Sequence, residues 1–230
     1  MKIQNLICTL FIVLLLITTI SAQNFRVGAV GGINLASVST DMEDSEPNTL
    51  TTFGVGGVID WNLGGNLALC FEPMYLKKGA KIEFPATEEE DFDIFGNIEG
   101  KFDFAYIEIP VLLKYSFGSG GIKPYLMAGP TIGILSKAEM ELTMMEIATF
   151  SIDIKDYSES IDYGVGLGAG ISIPIGSNSL FVEGRYALGL SDVFKGTGPV
   201  ENEDDLELED SEVKHRGIHI FAGLSIPLGE

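Results

Sequence analysis

Apolar and polar side chains alternate with a period of two residues along several stretches of the chain. From Asp162 to Ile173 the odd positions are apolar, whereas the even positions are Asp, Gly or Ser. From Ile218 to Leu228 the even positions are apolar and oppose His219, Phe221, Gly223 and Ser225. Because successive side chains of a strand point to opposite faces, the pattern predicts strands with one wholly apolar face.

Eight segments of this kind are predicted as strands. They are Phe25–Ser39, Thr51–Asn62, Leu67–Gly79, Lys101–Phe117, Ile122–Lys137, Glu159–Ile175, Leu180–Asp192 and Lys214–Leu228. Short connections that contain glycine alternate with long ones; the short ones are Leu63–Asn66, Gly118–Gly121 and Gly176–Ser179. Short turns at one end and long loops at the other are typical of an all-β, eight-stranded, antiparallel up-and-down transmembrane barrel with short periplasmic turns and long extracellular loops.

A soluble β-sandwich or a lipocalin-like barrel would alternate as well, with its bulky apolar groups inside. Here the second face consists mostly of Gly, Ser and a few charges, which is too small for a solvated exterior. Lipid outside explains the apolar face. It also explains two outward belts of aromatic residues, predicted as Phe25, Trp61 and Tyr115 at the periplasmic rim and Phe53, Tyr75 and Tyr163 at the opposite rim. Three prolines inside strands, Pro73, Pro110 and Pro130, predict β-bulges.

Charge is segregated from these strands. The chain of 230 residues has a net charge of −19 beside a mean hydropathy of +0.27. The acid is concentrated in the four long connections, which hold 24 of the 33 carboxylates and 3 of the 14 basic residues: Thr40–Leu50, Ala80–Gly100, Ala138–Ser158 and Val193–Val213. Such acidic loops repel nucleic acid and attract a cationic protein or peptide partner.

The N-terminus has the build of a cleaved signal peptide. Met1–Ala22 has one Lys, an apolar run from Leu6 to Leu16 and a small-residue end, which is too short for a comfortable spanning helix. We therefore expect a signal peptide at 1–22 and one barrel domain at 23–230, in the outer membrane and in contact with its lipid. Cys70 is the only later cysteine, so an internal disulfide is not predicted.

Ten charged residues point inward on the predicted parity. The expected lumen charge network consists of Arg26, Lys78, Lys114, Lys123 and Arg185 with Asp60, Glu72, Glu108, Asp162 and Glu183. We expect Glu183 with Arg185, and Glu108 with Lys114, to be members of it. Since an eight-stranded barrel is just wide enough to be filled by side chains, the network is interpreted as a closed plug; a conducting pore is the alternative.

Chemistry beyond this network is sparse. The acidic run Glu201–Asp210 offers oxygen ligands for Ca²⁺ but lacks the spacing of a calcium loop, so no metal site and no cofactor is predicted. His215 lies near Asp210 and Ser211, which a polar strand end explains as well as a catalytic constellation does. We predict no catalytic residue and no enzyme; a surface hydrolase or acyltransferase that uses His215 is the third hypothesis.

Several strings resemble the outer-membrane β-barrel domain proteins that are called porin-family or PorT-like. They are Ala105–Tyr115 (AYIEIPVLLKY), Lys123–Pro130 (KPYLMAGP), Tyr163–Gly170 (YGVGLGAG), Phe181–Leu190 (FVEGRYALGL), Arg216–Leu228 and Phe25–Asn34. The resemblance implies the barrel fold, the outer membrane and the barrel-assembly machinery as a partner. Such barrels commonly end on an aromatic residue that this machinery reads, whereas this chain ends Ile226-Pro-Leu-Gly-Glu230.

The function predicted from the sequence is non-enzymatic. We expect a monomeric envelope scaffold that binds a partner or contributes to secretion through its acidic surface loops. A narrow porin that passes small solutes or ions is the alternative.

Overall fold

The computed structural model describes residues 24–40, 48–84, 98–118, 120–144, 148–195 and 212–229. Within these residues the strands are β1 (Phe25–Thr40), β2 (Leu50–Gly64), β3 (Leu67–Phe71), β4 (Met74–Phe84), β5 (Ile98–Ser116), β6 (Lys123–Met144), β7 (Ala148–Asp153), β8 (Ile161–Ile175), β9 (Asn178–Gly189) and β10 (Val213–Pro227). A 3-10 turn, Lys155–Tyr157, follows β7. In these ranges no helix has the length and apolar character needed to cross a membrane. The predicted signal peptide, Met1–Ala22, lies outside the described residues.

The strands close into a ring in which every neighbour is antiparallel. β1 pairs with both β2 and β10, and the ring continues from β2 through β4, β5, β6, β8 and β9 back to β10. β3 and β4 share one place in the ring, between β2 and β5, while β7 pairs with the outer part of β6. Across the described residues the ring therefore has eight places, which confirms the predicted barrel.

The predicted bulges at the three prolines are wrong. Pro73 interrupts the predicted strand Leu67–Gly79 and separates β3 from β4, yet the pairing with β2 keeps its register from Phe71 to Met74. The pairings also keep their register across Pro110 and Pro130. The carbonyls still accept ladder hydrogen bonds, from Gly57 N to Pro73 O at 3.0 Å and from Glu72 N to Pro110 O at 3.2 Å. The missing N–H of each proline therefore costs the sheet one inter-strand hydrogen bond without shifting the register of the strand.

The outer ends of β4–β7 extend into stretches that were expected to be loops. β6 runs to Met144, and β7 lies inside the predicted acidic connection Ala138–Ser158. A register shift opposite Ala105–Tyr106 makes Ser136 the extra residue of β6. Charges that would oppose strand formation are paired across this region, for example Lys101 with Glu141 at 3.0 Å. Cross-strand pairs of this kind stabilise neighbouring strands.

The outward face of the ring is apolar between two belts of aromatic rings. Phe25 stacks on Trp61 at one end, with ring centroids 5.9 Å apart, and Phe53 lies 6.2 Å from Tyr75 near the other end. The short turns and Leu228, bonded to Phe25, share the Phe25 end, which is therefore the periplasmic end. Between the belts, large exposed side chains include Val55, Leu126, Leu167, Val182 and Ile220.

Glycines on the inward face make room for large rings of their register partners on the neighbouring strands. A Cβ at Gly170 would lie 2.5 Å from the Tyr125 ring, and one at Gly223 would lie 2.2 Å from Phe181 Cζ. Tyr125, Phe181 and Phe221 belong to the buried cluster that fills the barrel. The small inward residues thus accommodate a packed core.

Candidate functional site

The centre of the lumen is held by Arg185 between two carboxylates. Its Nη2 contacts Glu72 Oε2 and Glu183 Oε1. Tyr125 donates its hydroxyl hydrogen bond to Glu183 Oε2 at 2.7 Å, and Cys70 Sγ donates to Glu72 Oε1 at 3.1 Å. These side chains come from β3, β6 and β9 and from the residue that follows β3, so they join opposite walls of the barrel. We call Glu72, Glu183 and Arg185 the central layer.

Above the central layer, toward the outer end, Lys78 pairs with two further carboxylates. Its Nζ contacts Glu108 Oε2 and lies 2.8 Å from Asp162 Oδ2. Asp162 also accepts a 2.6 Å hydrogen bond from Ser191 Oγ. The ammonium lies 5.2 Å from the centre of the Tyr106 ring. Since all these groups are buried, each charge depends on its partners for stabilisation.

Below the central layer, Lys114 pairs with Asp60 at 3.0 Å. Its ammonium lies 4.5 Å from the centre of the Tyr125 ring and 5.8 Å from that of Phe181. Tyr125 therefore contacts both this pair and Glu183 of the central layer. The charged groups follow one another along the barrel axis with aromatic rings between them.

The outer mouth is covered by the segment that follows β9. Val193 is buried against inward-facing Phe104 and Tyr106, and the Phe194 ring centre lies 6.1 Å from that of Phe104. Backbone hydrogen bonds fix the segment, from Glu159 N to Val193 O and from Val193 N to Val213 O. We call Val193 and Phe194 the outer cap.

Cavities differ sharply in size along the lumen. At the periplasmic end a cavity of about 210 Å³ is lined by Arg26, Asp60, Lys114, Lys123 and several serines. Two cavities that His219 lines, one beside Lys78 and Asp162 and the other beside Glu108 and Arg185, hold about 10 Å³ each, which is close to the volume that one water requires. The described part of the barrel is thus open below and filled in the middle.

The structure brings eight of the ten predicted lumen residues into ion pairs: Arg185 with Glu72 and Glu183, Lys78 with Glu108 and Asp162, and Lys114 with Asp60. Glu108 and Lys114 therefore both form ion pairs in the lumen, but they do not pair with each other. Arg26 bonds to Ser225 and Ser179, and Lys123 is exposed at the wall of the periplasmic cavity. Neither makes an ion pair within the described ranges.

Sequence reasoning assigned no role in the network to Tyr125 or Ser191. Tyr125 has the same parity as Lys123, so its inward orientation could have been predicted from the alternation. Ser191 has the parity of Glu183 and Arg185 in the predicted strand Leu180–Asp192, so its inward orientation could have been predicted too, although β9 ends at Gly189.

The histidines are packed inside the barrel. His215 Nε2 lies 3.2 Å from Tyr106 Oη, and the His219 ring centre lies 5.2 Å from that of Phe221. Both histidines are buried, while Asp210 and Ser211 lie outside the described residues. The acidic run Glu201–Asp210, for which no metal site was predicted, lies outside them too, and the described ranges contain no group of three metal-ligating side chains.

The comparison with protein families agrees with this architecture. The sequence matches the family described as "Outer membrane protein beta-barrel domain" over residues 21–195, and it matches no curated protein. Among solved structures it is similar to Neisserial surface protein A, with a TM-score of 0.47, 14% identity, and coverage of 89% of this chain and 97% of that one. It is also similar to OprG from Pseudomonas aeruginosa, with a TM-score of 0.42, 11% identity, and coverage of 90% of this chain and 98% of that one. For the outer membrane protease OmpT from Escherichia coli, the TM-score is 0.43 and the identity 10%, with coverage of 89% of this chain and 97% of that one.

Proposed function

We propose, from the premise that this chain belongs to the outer membrane protein beta-barrel domain family, that it is a closed, non-enzymatic barrel that serves as an envelope scaffold. Its acidic outer loops bind a cationic partner. Within the family we assign it to the PorT-like proteins on the string Glu108–Tyr115 (EIPVLLKY). It acts as a monomer, since within the described residues each of the eight places of the ring has a paired neighbour on both sides.

The central layer carries this proposal. Arg185 lies between Glu72 and Glu183, and these carboxylate side chains are each 1% exposed. A hydrated ion or solute would have to separate buried charges whose mutual attraction offsets the cost of removing them from water. The central layer therefore favours a closed, rigid barrel over a barrel that transports ions or solutes.

A narrow porin is the second candidate. The polar cavity at the periplasmic end supports it, because that cavity is the lower half of a possible pathway. The packed middle and the outer cap oppose it, since a porin keeps an aqueous channel through its length. We rank the scaffold first for this reason.

The class of partner follows from charge. Residues 201–210 carry seven carboxylates and no basic residue, so they attract a basic protein face or peptide at a rate that falls as salt rises. Lys195 precedes this run at the end of the described segment. The described chain thus enters this connection from the outer cap.

Loop neutralisation tests the proposal. We expect a variant with all seven carboxylates of 201–210 changed to Asn or Gln to bind a lysine-rich peptide at least roughly tenfold more weakly than the parent in lipid nanodiscs at low salt. A variant with the order of residues 198–210 scrambled keeps the charge and serves as the control. Unchanged binding by the neutralised variant would contradict the proposed role of this loop. We leave Val193 and Phe194 in place, because they form the outer cap.

A further inference from the structure

The cavity at the periplasmic end has more cationic side chains than carboxylates to neutralise them. It is lined by Arg26, Lys114 and Lys123, with Asp60 as the single carboxylate among its lining residues. Lys114 is paired with Asp60 at 3.0 Å, which leaves two positive charges. This surplus stands out in a chain whose net charge is −19.

Arg26 is fixed in place by neutral acceptors. Its Nε donates to Ser225 Oγ at 3.3 Å, and its Nη2 donates to Ser225 O, Ser179 Oγ and Ser177 O at 3.1 Å each. Asp60, its register neighbour on β2, binds Lys114 instead. Within the described residues these bonds use Nε and Nη2, so the Nη1 donors are left for a ligand. A guanidinium held this way loses little conformational entropy on binding an anion.

Lys123 approaches the same cavity from the opposite wall. Its Cα is the register partner of Ser172, and both residues line the cavity with Ser116 and Ser179. The hydroxyls can donate to an anion, as the cations do. Exposed Lys123 and fixed Arg26 thus provide one adjustable and one rigid cationic contact.

The cavity is closed above and limited in volume. Phe181 lines it, and Lys114 over the Tyr125 ring separates it from the central layer. Its volume of about 210 Å³ is smaller than a site for a drug-sized ligand. A small ion and its waters fit, whereas a folded segment of a protein does not.

We propose that this cavity is a binding site for a small oxyanion, that is, a carboxylate or phosphate group of a periplasmic solute. Arg26 and Lys123 bind the anion, and the serines contribute hydrogen bonds. The site faces the periplasm, so it is separate from the acidic outer loops and does not depend on the proposed role of those loops.

NMR titration of the isotope-labelled barrel in nanodiscs tests the site. Phosphate and acetate are added in separate arms, with chloride at matched ionic strength as the reference. We expect saturable shifts at the amides of Ser179 and Ser225 and at Arg26 Nε with at least one oxyanion, and roughly tenfold weaker binding in Lys123→Gln and Arg26→Gln. Saturation by phosphate alone or by acetate alone identifies which oxyanion is preferred.

Lys195→Gln is the matched control, since it removes one exposed positive charge at the opposite end of the barrel. If Arg26→Gln does not fold, Lys123→Gln still tests the proposal, because Lys123 is exposed. Shifts no larger than those with chloride, or saturation that is unchanged in Lys123→Gln and Arg26→Gln, would overturn the proposal.

Discussion

Replacement of Arg185 by methionine is expected to lower the free energy of unfolding by about 3–5 kcal/mol. Arg185 is the cation that the central layer provides for Glu72 and Glu183, so its loss leaves two buried carboxylates without their positive partner. Removal of one member of a buried ion pair costs more than the pair contributes, because the remaining charge stays out of water. Denaturant unfolding in lipid vesicles, followed by the fluorescence of the single Trp61, measures the loss.

Two further variants make this result specific. Glu72→Gln and Glu183→Gln added to Arg185→Met should recover most of the lost stability, because neutral amides remain where carboxylates were unpaired. Lys137→Ala removes an exposed ion pair with Glu139 at 2.7 Å and should leave the unfolding midpoint unchanged, since exposed pairs contribute little. Equal midpoints for Arg185→Met and the parent would refute the importance of the layer.

The second large effect is expected on the lipid face. Leu167→Arg should destabilise the barrel by about 2–4 kcal/mol, which is the cost of a basic side chain at the middle of the bilayer. Leu167 is 58% exposed and lies near the centre of β8, four residues from Tyr163 of the outer belt. The same unfolding assay in vesicles measures this effect.

Ile152→Arg is the matched control for Leu167→Arg. Ile152 is 46% exposed, but it lies on β7, which pairs with β6 beyond Ser136 and outside the apolar band. We expect little loss of stability there, because water reaches the new charge. A similar loss of stability at both positions would mean that the hydrocarbon core of the bilayer is not confined to the apolar band between the two aromatic belts.

Much of the barrel could be predicted because alternation is a local property. The inward orientation of Glu183 and Arg185 and the outward orientation of Val182 and Tyr186 follow from parity alone, and the structure has them so. The outer ends of β5 and β6 were less predictable. The extra residue Ser136 reverses the parity after it, and nothing in the local pattern marks it.

The partners of Glu108 and Lys114 inside the lumen could not be predicted. Glu108 and Lys114 lie six positions apart on the same strand, and each reaches a residue on another strand, namely Lys78 and Asp60. Which residues meet depends on strand tilt and on the stagger of the ring, which sequence parity does not specify. The outer cap was missed for a similar reason, since Val193 and Phe194 belong to no strand.

Planar-bilayer recording of the purified barrel tests the closed lumen most directly. The central layer and the outer cap predict that the barrel inserts without reproducible single-channel steps, under conditions in which an open porin gives them. Reproducible steps that Glu183→Gln or Arg185→Met alters would contradict the account and make the narrow porin the better assignment.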